Sequence, residues 1–168
     1  MLTRGAVYLM CGFLTLGIPA WAQRSPPTEA RALDIVRDDA DVLSSEEDRK
    51  LTALLQAVLD QTGVKVLVVV VPTTAPDDGE RYGGRLVEHW AKRGAVDPAQ
   101  TVIAVLAVDD RNLSVLAGRG LPGLQRELAG GGALRFLVPY LKEERYFDAM
   151  MALGKWLSGR IRNKGDRT

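Results

Sequence analysis

Apolar residues repeat at helical spacing directly after a capping sequence in the first third of the chain. Ser44 is followed three residues later by Glu47, which is the arrangement of a capping box. The apolar positions that follow have the spacing of one helix face: Leu51, Leu54, Leu55, Val58 and Leu59. The pattern predicts an amphipathic helix, and Gly63 can supply its left-handed end.

Two unbroken runs of aliphatic residues predict strands in the middle of a covered sheet. The first run occupies 64–71 and is ended by Pro72, and the second occupies 101–108. A second helix is predicted between the runs, ending at Gly94, from apolar residues at helical spacing: Tyr82, Leu86, Val87 and Trp90. A helical crossover between two buried strands indicates that the strands are parallel.

A polar interruption follows the second run and predicts a hairpin. The residues at 109–112 are polar, and the apolar pattern resumes at 113–117. Beyond Gly120 we expect helix, with breaks at 130–132 and at Pro139. A last helix is predicted from residues at helical spacing: Phe147, Met150, Gly154, Leu157 and Ile161. Its end is basic, with Arg160, Arg162 and Lys164. The chain is therefore expected to form an α/β three-layer α/β/α sandwich with a mixed sheet of roughly four strands.

The beginning of the chain has the pattern of a signal peptide over 1–22. Arg4 is its only charge, an uncharged apolar stretch follows, and Ala20 and Ala22 supply small residues for cleavage. An uncleaved anchor is the alternative, because the apolar stretch nearly spans a bilayer. We expect a flexible linker over 23–32, one domain over 33–164 and a polar tail over 165–168. The protein would be exported, periplasmic or secreted if its source is bacterial, with membrane association only if the signal segment is retained.

Composition mainly removes classes of function. The 168 residues suit one domain, and 22 Lys and Arg against 21 Asp and Glu leave no basic field for a nucleic acid. The one cysteine, Cys11, excludes an intrachain disulfide or a multi-cysteine zinc site, and the one histidine, His89, weakens His-based catalysis. No catalytic residue can be assigned from the sequence.

A GxGxxG pattern formed by Gly118, Gly120 and Gly123 follows the predicted hairpin strand. It lies late in the chain, it contains Pro122, and no acidic residue ends a following strand to hold a ribose. We therefore interpret it as a glycine-rich turn and expect no nucleotide cofactor.

Acidic residues form two groups in predicted loops. Asp38, Asp39 and Asp41 precede the first helix, and Asp109 and Asp110 lie in the hairpin turn. Hard cations such as calcium prefer several oxygen ligands, which carboxylates and loop carbonyls can supply. Asp38, Asp109 and Asp110 are the candidate metal ligands, with Asp39 and Asp41 as weaker ones. The alternative is ordinary capping and turn chemistry.

Several short motifs, in a specific order, resemble the TPM domain family. This family includes a thylakoid-lumen photosystem II repair protein, a modulator of acetylcholine receptors and many exported bacterial proteins. The resemblance covers most of 36–161 and rests on the stretch 36–44, the valine strand after Thr62-Gly63, Asp109-Asp110-Arg111 leading through Val115 to 118–121, and Pro139-Tyr140-Leu141 followed by Tyr146.

The resemblance implies a small α/β/α domain that faces a lumen or periplasm and assists an envelope or membrane protein complex. Some relatives bind calcium, and acid phosphatase activity has been ascribed to some. By position, the acidic site of the family would fall on Asp38 and on Asp109 or Asp110. The chain departs from the family pattern where Pro122 replaces a glutamate and Gln100-Thr101 replaces Asn-Gly, and loss of a carboxylate would weaken a divalent site.

Three hypotheses follow. The first is an exported domain with a binding or accessory role, using a weak calcium site on the loop face. The second is a metal-dependent, acid-phosphatase-like hydrolase in which carboxylates hold a cation that polarises a phosphoryl group. The third is a protein-interaction domain without a metal, whose carboxylates only cap and turn.

Overall fold

The computed structural model describes residues 34–129 and 132–165 of the chain. Its strands form one four-stranded sheet in the order β1 (Val36–Asp38), β2 (Lys65–Val71), β3 (Thr101–Ala107) and β4 (Asn112–Ala117). Strands β1, β2 and β3 are parallel, and β4 is antiparallel to β3. The predicted mixed sheet is confirmed.

Within these described residues, five α-helices connect and cover the strands: α1 (Ser45–Thr62), α2 (Gly79–Lys92), α3 (Pro122–Ala129), α4 (Val138–Lys142) and α5 (Tyr146–Gly165). Helix α1 begins where the capping box predicts, because the Ser44 side chain accepts a hydrogen bond from the Glu47 N–H and the Glu47 side chain accepts one from Ser44 N–H. It ends at Gly63, whose φ of 70° is the left-handed conformation that glycine adopts without strain.

The buried strands separate two apolar cores, which produces the predicted three layers. Helix α2 covers one face, where Leu86 and Trp90 lie in the same core as Val69. Helices α1 and α5 cover the other face, where Leu51 and Leu153 lie in the same core as Val68. Successive residues of a strand point to opposite faces, so the valine run of β2 supplies both cores.

Two local features differ from the sequence-based expectations. Strand β1 was not predicted, because its three residues are too few to show a period. Pro139 lies in the first turn of α4 and begins that helix instead of breaking one. The first turn suits proline, since its missing N–H has no partner within the helix.

The predicted signal peptide and linker lie outside the described residues, as does most of the predicted tail. Among the helices that the structure describes, none combines the length and the apolar character needed to cross a membrane.

Candidate functional site

The two predicted acidic groups lie at the same end of the sheet, the end at which the parallel strands have their carboxyl termini. Asp38 is the last residue of β1, and the N–H of Asp39 donates to the carbonyl of Val70 at 2.7 Å. Asp109 follows β3, and its N–H donates to the carbonyl of Pro72 at 2.8 Å. This arrangement follows from parallel pairing of β1, β2 and β3.

The strand register nevertheless keeps the two groups apart. Asp38 pairs with Val70, and Val70 pairs with Leu106. Strand β2 therefore lies between the groups, and Asp109 is three residues further along the chain than Leu106. Strand spacing and residue rise together separate the Cα atoms of Asp38 and Asp109 by more than about 10 Å.

A concave surface of about 400 Å³, here named the acidic cleft, lies between the end of β1 and the start of α1. Five aspartates line it: Asp34, Asp38, Asp39, Asp41 and Asp48. The other lining residues are Val36, Arg37, Leu43, Ser45 and Arg49. The cleft thus contains Asp38, Asp39 and Asp41 of the predicted site, whereas Asp109 and Asp110 do not line it.

Asp38 organises the loop that forms the cleft. Its Oδ1 accepts a hydrogen bond from the N–H of Ala40 at 3.0 Å, and its Oδ2 accepts one from the N–H of Leu43 at 2.7 Å. Both bonds satisfy main-chain donors between β1 and α1 that have no strand or helix partner. Asp38 therefore has the turn-forming role that the sequence offered as the alternative to metal binding.

The neighbouring aspartates are held differently. The Nε of Arg37, a side chain that is 9% exposed, donates to Oδ2 of Asp39 at 2.9 Å. Asp41 has a φ of 60°, a conformation that aspartate tolerates better than most residues. The loop therefore places three carboxylates along one short segment.

Asp48 completes the cleft from the first turns of α1. Burial raises the pKa of its carboxyl group, and the nearby charges of Asp34 and Asp38 raise that pKa further. Like charges are thus held together across the cleft. Sequence reasoning missed Asp34 and Asp48, and the available signal was the position of Asp48 four residues after the Ser44 cap, beside the acidic loop.

The hairpin aspartate Asp110 has a structural role of its own. Its carboxylate accepts hydrogen bonds from the Thr74 N–H and the Thr73 hydroxyl, both at 3.0 Å. The Thr74 N–H, followed by the Thr73 and Thr74 hydroxyls, holds the pKa of Asp110 below its ordinary value. These bonds tie the turn between β3 and β4 to the segment after β2.

The donor set for a metal is incomplete in the part of the chain that the structure describes. No group of three or more His, Cys, Asp or Glu side chains there has the arrangement of a metal site. A calcium ion at the cleft would need main-chain carbonyls and water in addition to carboxylates, which is typical of weak sites. The metal assignment and the metal-assisted phosphatase hypothesis, which uses the same aspartates, both stay predictions.

The glycine motif has a packing explanation. A Cβ atom on Gly118 would overlap the main-chain carbonyl oxygens of Pro98 and Ala99. One on Gly120 would lie 2.7 Å from the Ala99 carbonyl oxygen. The loop before α3 passes close to the 3-10 turn Pro98–Gln100, which only glycine permits.

Comparisons with known proteins agree on the family and the fold. A family model for the TPM domain matches residues 36–157. No curated protein matches the chain.

Three solved structures of bacterial proteins share the fold. The N-terminal domain of the cg2496 protein from Corynebacterium glutamicum is 18% identical, with a TM-score of 0.60 over 81% of this chain and 83% of that one. An N-terminal domain from P. gingivalis is 20% identical, with a TM-score of 0.59 over 77% and 85%. The BA42 protein of Bizionia argentinensis is 13% identical, with a TM-score of 0.61 over 75% and 86%.

Proposed function

Since this chain belongs to the TPM domain family, we propose that it is an exported accessory domain that acts by binding, and that its acidic cleft takes a cationic ligand. Calcium is the ligand to test first. The observation that carries the proposal is the gathering of five aspartates against two arginines around one concave surface.

Electrostatics favours a cation at this place. Burial raises the pKa of Asp48, and the charges of the nearby Asp34 and Asp38 raise that pKa further. A bound cation would offset this repulsion and stabilise the ionised form of Asp48. Binding should therefore weaken as the pH falls and the cleft carboxylates take up protons.

The cleft can offer ligands without losing its loop structure. A carboxylate oxygen has two lone pairs, so the hydrogen bonds from Ala40 and Leu43 leave Asp38 with further acceptor capacity. Calcium accepts six to eight oxygens in flexible geometry, and weak extracellular sites bind it with Kd values of about 0.1–1 mM. We propose affinity in that range.

The exported location rests on the signal pattern of residues 1–22, and the accessory role rests on the family. Both support the proposal that the ligand is met in a compartment outside the cytoplasm, where calcium can reach millimolar concentration and a weak site would be filled. Asp109 and Asp110 stay predicted ligands, and the titration below tests Asp110 as well.

The test is calorimetric titration of the full chain with calcium chloride, repeated with Asp48→Asn and Asp110→Asn. The proposal predicts saturable binding that is weakened at least about fivefold in Asp48→Asn, because one ligand charge is lost, and unchanged in Asp110→Asn. Loss of binding in Asp110→Asn alone would move the site to the hairpin turn. If no heat of binding appeared up to about 10 mM calcium, which is well above the weak extracellular range, the cation proposal would be overturned.

A further inference from the structure

Strand β4 is at the edge of the sheet opposite β1, and its outer side has main-chain groups that point away from β3. The N–H of Gly118 donates to the carbonyl of Thr101 at 2.8 Å, which identifies these two residues as a hydrogen-bonded pair of the antiparallel ladder. Hydrogen bonding alternates along such a ladder. Leu113, Val115 and Ala117 therefore direct their N–H and C=O groups outward.

A side-chain contact independently supports the outward direction of these main-chain groups. Gln125 of α3 donates its amide Nε2–H to the carbonyl of Ala117 at 3.0 Å, which requires that carbonyl to face outward. Helix α3 thus closes the edge at Ala117. The outward groups of Leu113 and Val115 form no hydrogen bond within residues 34–129 and 132–165.

These open groups border a groove of about 550 Å³, here named the β4 groove. One wall is the start of α2, formed by Asp78, Gly79 and Glu80. The opposite wall is mainly apolar and comes from α3, α4 and the 3-10 helix Gly132–Leu137. Its residues are Leu128, Leu134, Arg135, Val138 and Leu141. Val138 is 44% exposed, although it is a large aliphatic side chain.

The walls lie on opposite faces of β4. The side chains of Leu113 and Val115 pack against the apolar core on the side of the sheet covered by α1 and α5. Leucines of the apolar wall pack against the same core. Ser114 points to the other face, where a Cβ atom on Gly79 would overlap its hydroxyl. A strand placed beside β4 would therefore send alternate side chains to the apolar wall and to the acidic start of α2.

We propose that the β4 groove binds an extended peptide segment of a partner protein, which adds to the sheet as a fifth strand. Main-chain hydrogen bonds to Leu113 and Val115 would hold it. Its apolar side chains would contact the wall that includes Val138, and the alternate side chains, Lys or Arg, would face the carboxylates of Asp78 and Glu80. Arg135 on the apolar side repels basic side chains there and so favours this register.

A second copy of the chain fits less well. Pairing of two β4 strands would bring the α2 layer and the α3–α4 layer of the second copy against the same layers of the first, because both walls project beside the strand. A single extended segment enters without this overlap. The proposal is independent of the acidic cleft, since β1 and β4 are opposite edges of the sheet.

The probe is a fluorescein-labelled ten-residue peptide that alternates valine and lysine, with a valine–glutamate peptide of equal length as control. Anisotropy with the full chain should show saturable binding of the lysine peptide and none of the glutamate peptide. Glu80→Lys should weaken binding at least about threefold, as loss of a surface charge pair and gain of a repulsive one predicts. Glu88→Lys is the matched control on the same helix, because Glu88 is exposed and does not line the groove.

Hydrogen exchange measured by NMR gives a readout specific to the backbone. With peptide bound, exchange of the Leu113 and Val115 amides should slow at least about tenfold, while the Ser114 amide, which faces β3, should not change. Unchanged exchange at Leu113 and Val115, equal binding of the glutamate peptide, or equal effects of Glu80→Lys and Glu88→Lys would overturn the proposal. So would a stable dimer that Val138→Asp dissociates, which would assign the groove to a second copy. Asp48→Asn should leave peptide binding unchanged, so the two proposals can fail separately.

Discussion

The carboxylate of Asp38 accepts the main-chain N–H of Leu43 at 2.7 Å and closes the loop between β1 and α1. The same carboxylate lines the acidic cleft. Loop formation and ligand binding are therefore combined in one side chain, and substitutions at Asp38 must be interpreted through stability before they are interpreted through binding.

Asp38→Ala should destabilise the protein by about 1–3 kcal/mol, because the N–H groups of Ala40 and Leu43 lose their acceptor. Asp38→Asn should cost less, since its amide oxygen can still accept one of the two bonds. Urea unfolding at pH 7 measures both. An Asp38→Ala protein as stable as the wild type would show that the loop is held by other contacts.

Asp110→Ala should lower Tm by a few degrees at pH 7, because the carboxylate that accepts from Thr74 and Thr73 is lost. Those bonds hold the folded-state pKa of Asp110 below its ordinary value of 3.8, so the stabilisation is present above that value. It is lost as the pH falls through the lowered pKa. The Tm difference from the wild type should therefore shrink below about pH 4.

Asp109→Ala is the control for this experiment. The side chain of Asp109 is exposed and accepts no hydrogen bond from the residues that the structure describes. Its removal should change Tm little at any pH. Equal losses for the two variants would mean that the turn, and not the Asp110 contacts, sets the stability.

Gly83 and Gly84 give a matched test of how closely α2 packs on the sheet. A Cβ atom on Gly83 would lie 3.0 Å from Val105 Cγ2 and 3.2 Å from Leu116 Cδ1, whereas one on Gly84 would have no neighbour within 4 Å. Alanine improves helix propensity equally at both sites, so Gly84→Ala should stabilise by up to about 1 kcal/mol.

Gly83→Ala should be less stable than Gly84→Ala by about 1–2 kcal/mol, because the packed side chains of Val105 and Leu116 must move. Thermal and urea unfolding of the pair measure this difference. Equal stabilities would show that α2 shifts outward without cost.

Asp48 should titrate above its ordinary pKa of 3.8, since burial and the charges of Asp34 and Asp38 disfavour its ionised form. Asp34→Asn removes one of these charges and should lower the pKa of Asp48. Carboxyl carbon shifts followed by NMR between pH 2 and pH 7 measure both, and an unchanged Asp48 pKa in the variant would contradict the shared electrostatics of the cleft.

The fold was largely predictable because its main elements have strong local signals. The capping box at Ser44 and the apolar face of α1 mark one helix, and the valines of β2 mark a strand buried on both faces. Strand β1 carries no such signal, because its three residues gain their structure from pairing with β2. Pro139 was misinterpreted because proline both ends and begins helices, and only the surrounding chain decides which.

The candidate site was predictable in part. Parallel pairing brings Asp38 and Asp109 to the same end of the sheet, where the parallel strands have their carboxyl termini. The distance between them depends on the strand register, which a sequence does not specify locally. Asp48 joins the cleft only through the tertiary placement of α1, which brings it near Asp34, a residue that precedes β1. The open edge of β4 likewise depends on tertiary structure. The strand order places β4 at the edge, and within the part of the chain that the structure describes α3 contacts the outward main-chain groups of β4 only at Ala117.

A calcium titration of the isotope-labelled full chain, followed residue by residue in NMR spectra, tests directly whether the acidic cleft binds a cation. We predict saturable shifts of the amides of the acidic cleft, around 38–49, with those of 109–115 unmoved, and loss of the shifts in Asp48→Asn. Shifts confined to the hairpin turn, or no saturable shifts at all, would contradict the claim that the acidic cleft is a cation-binding site.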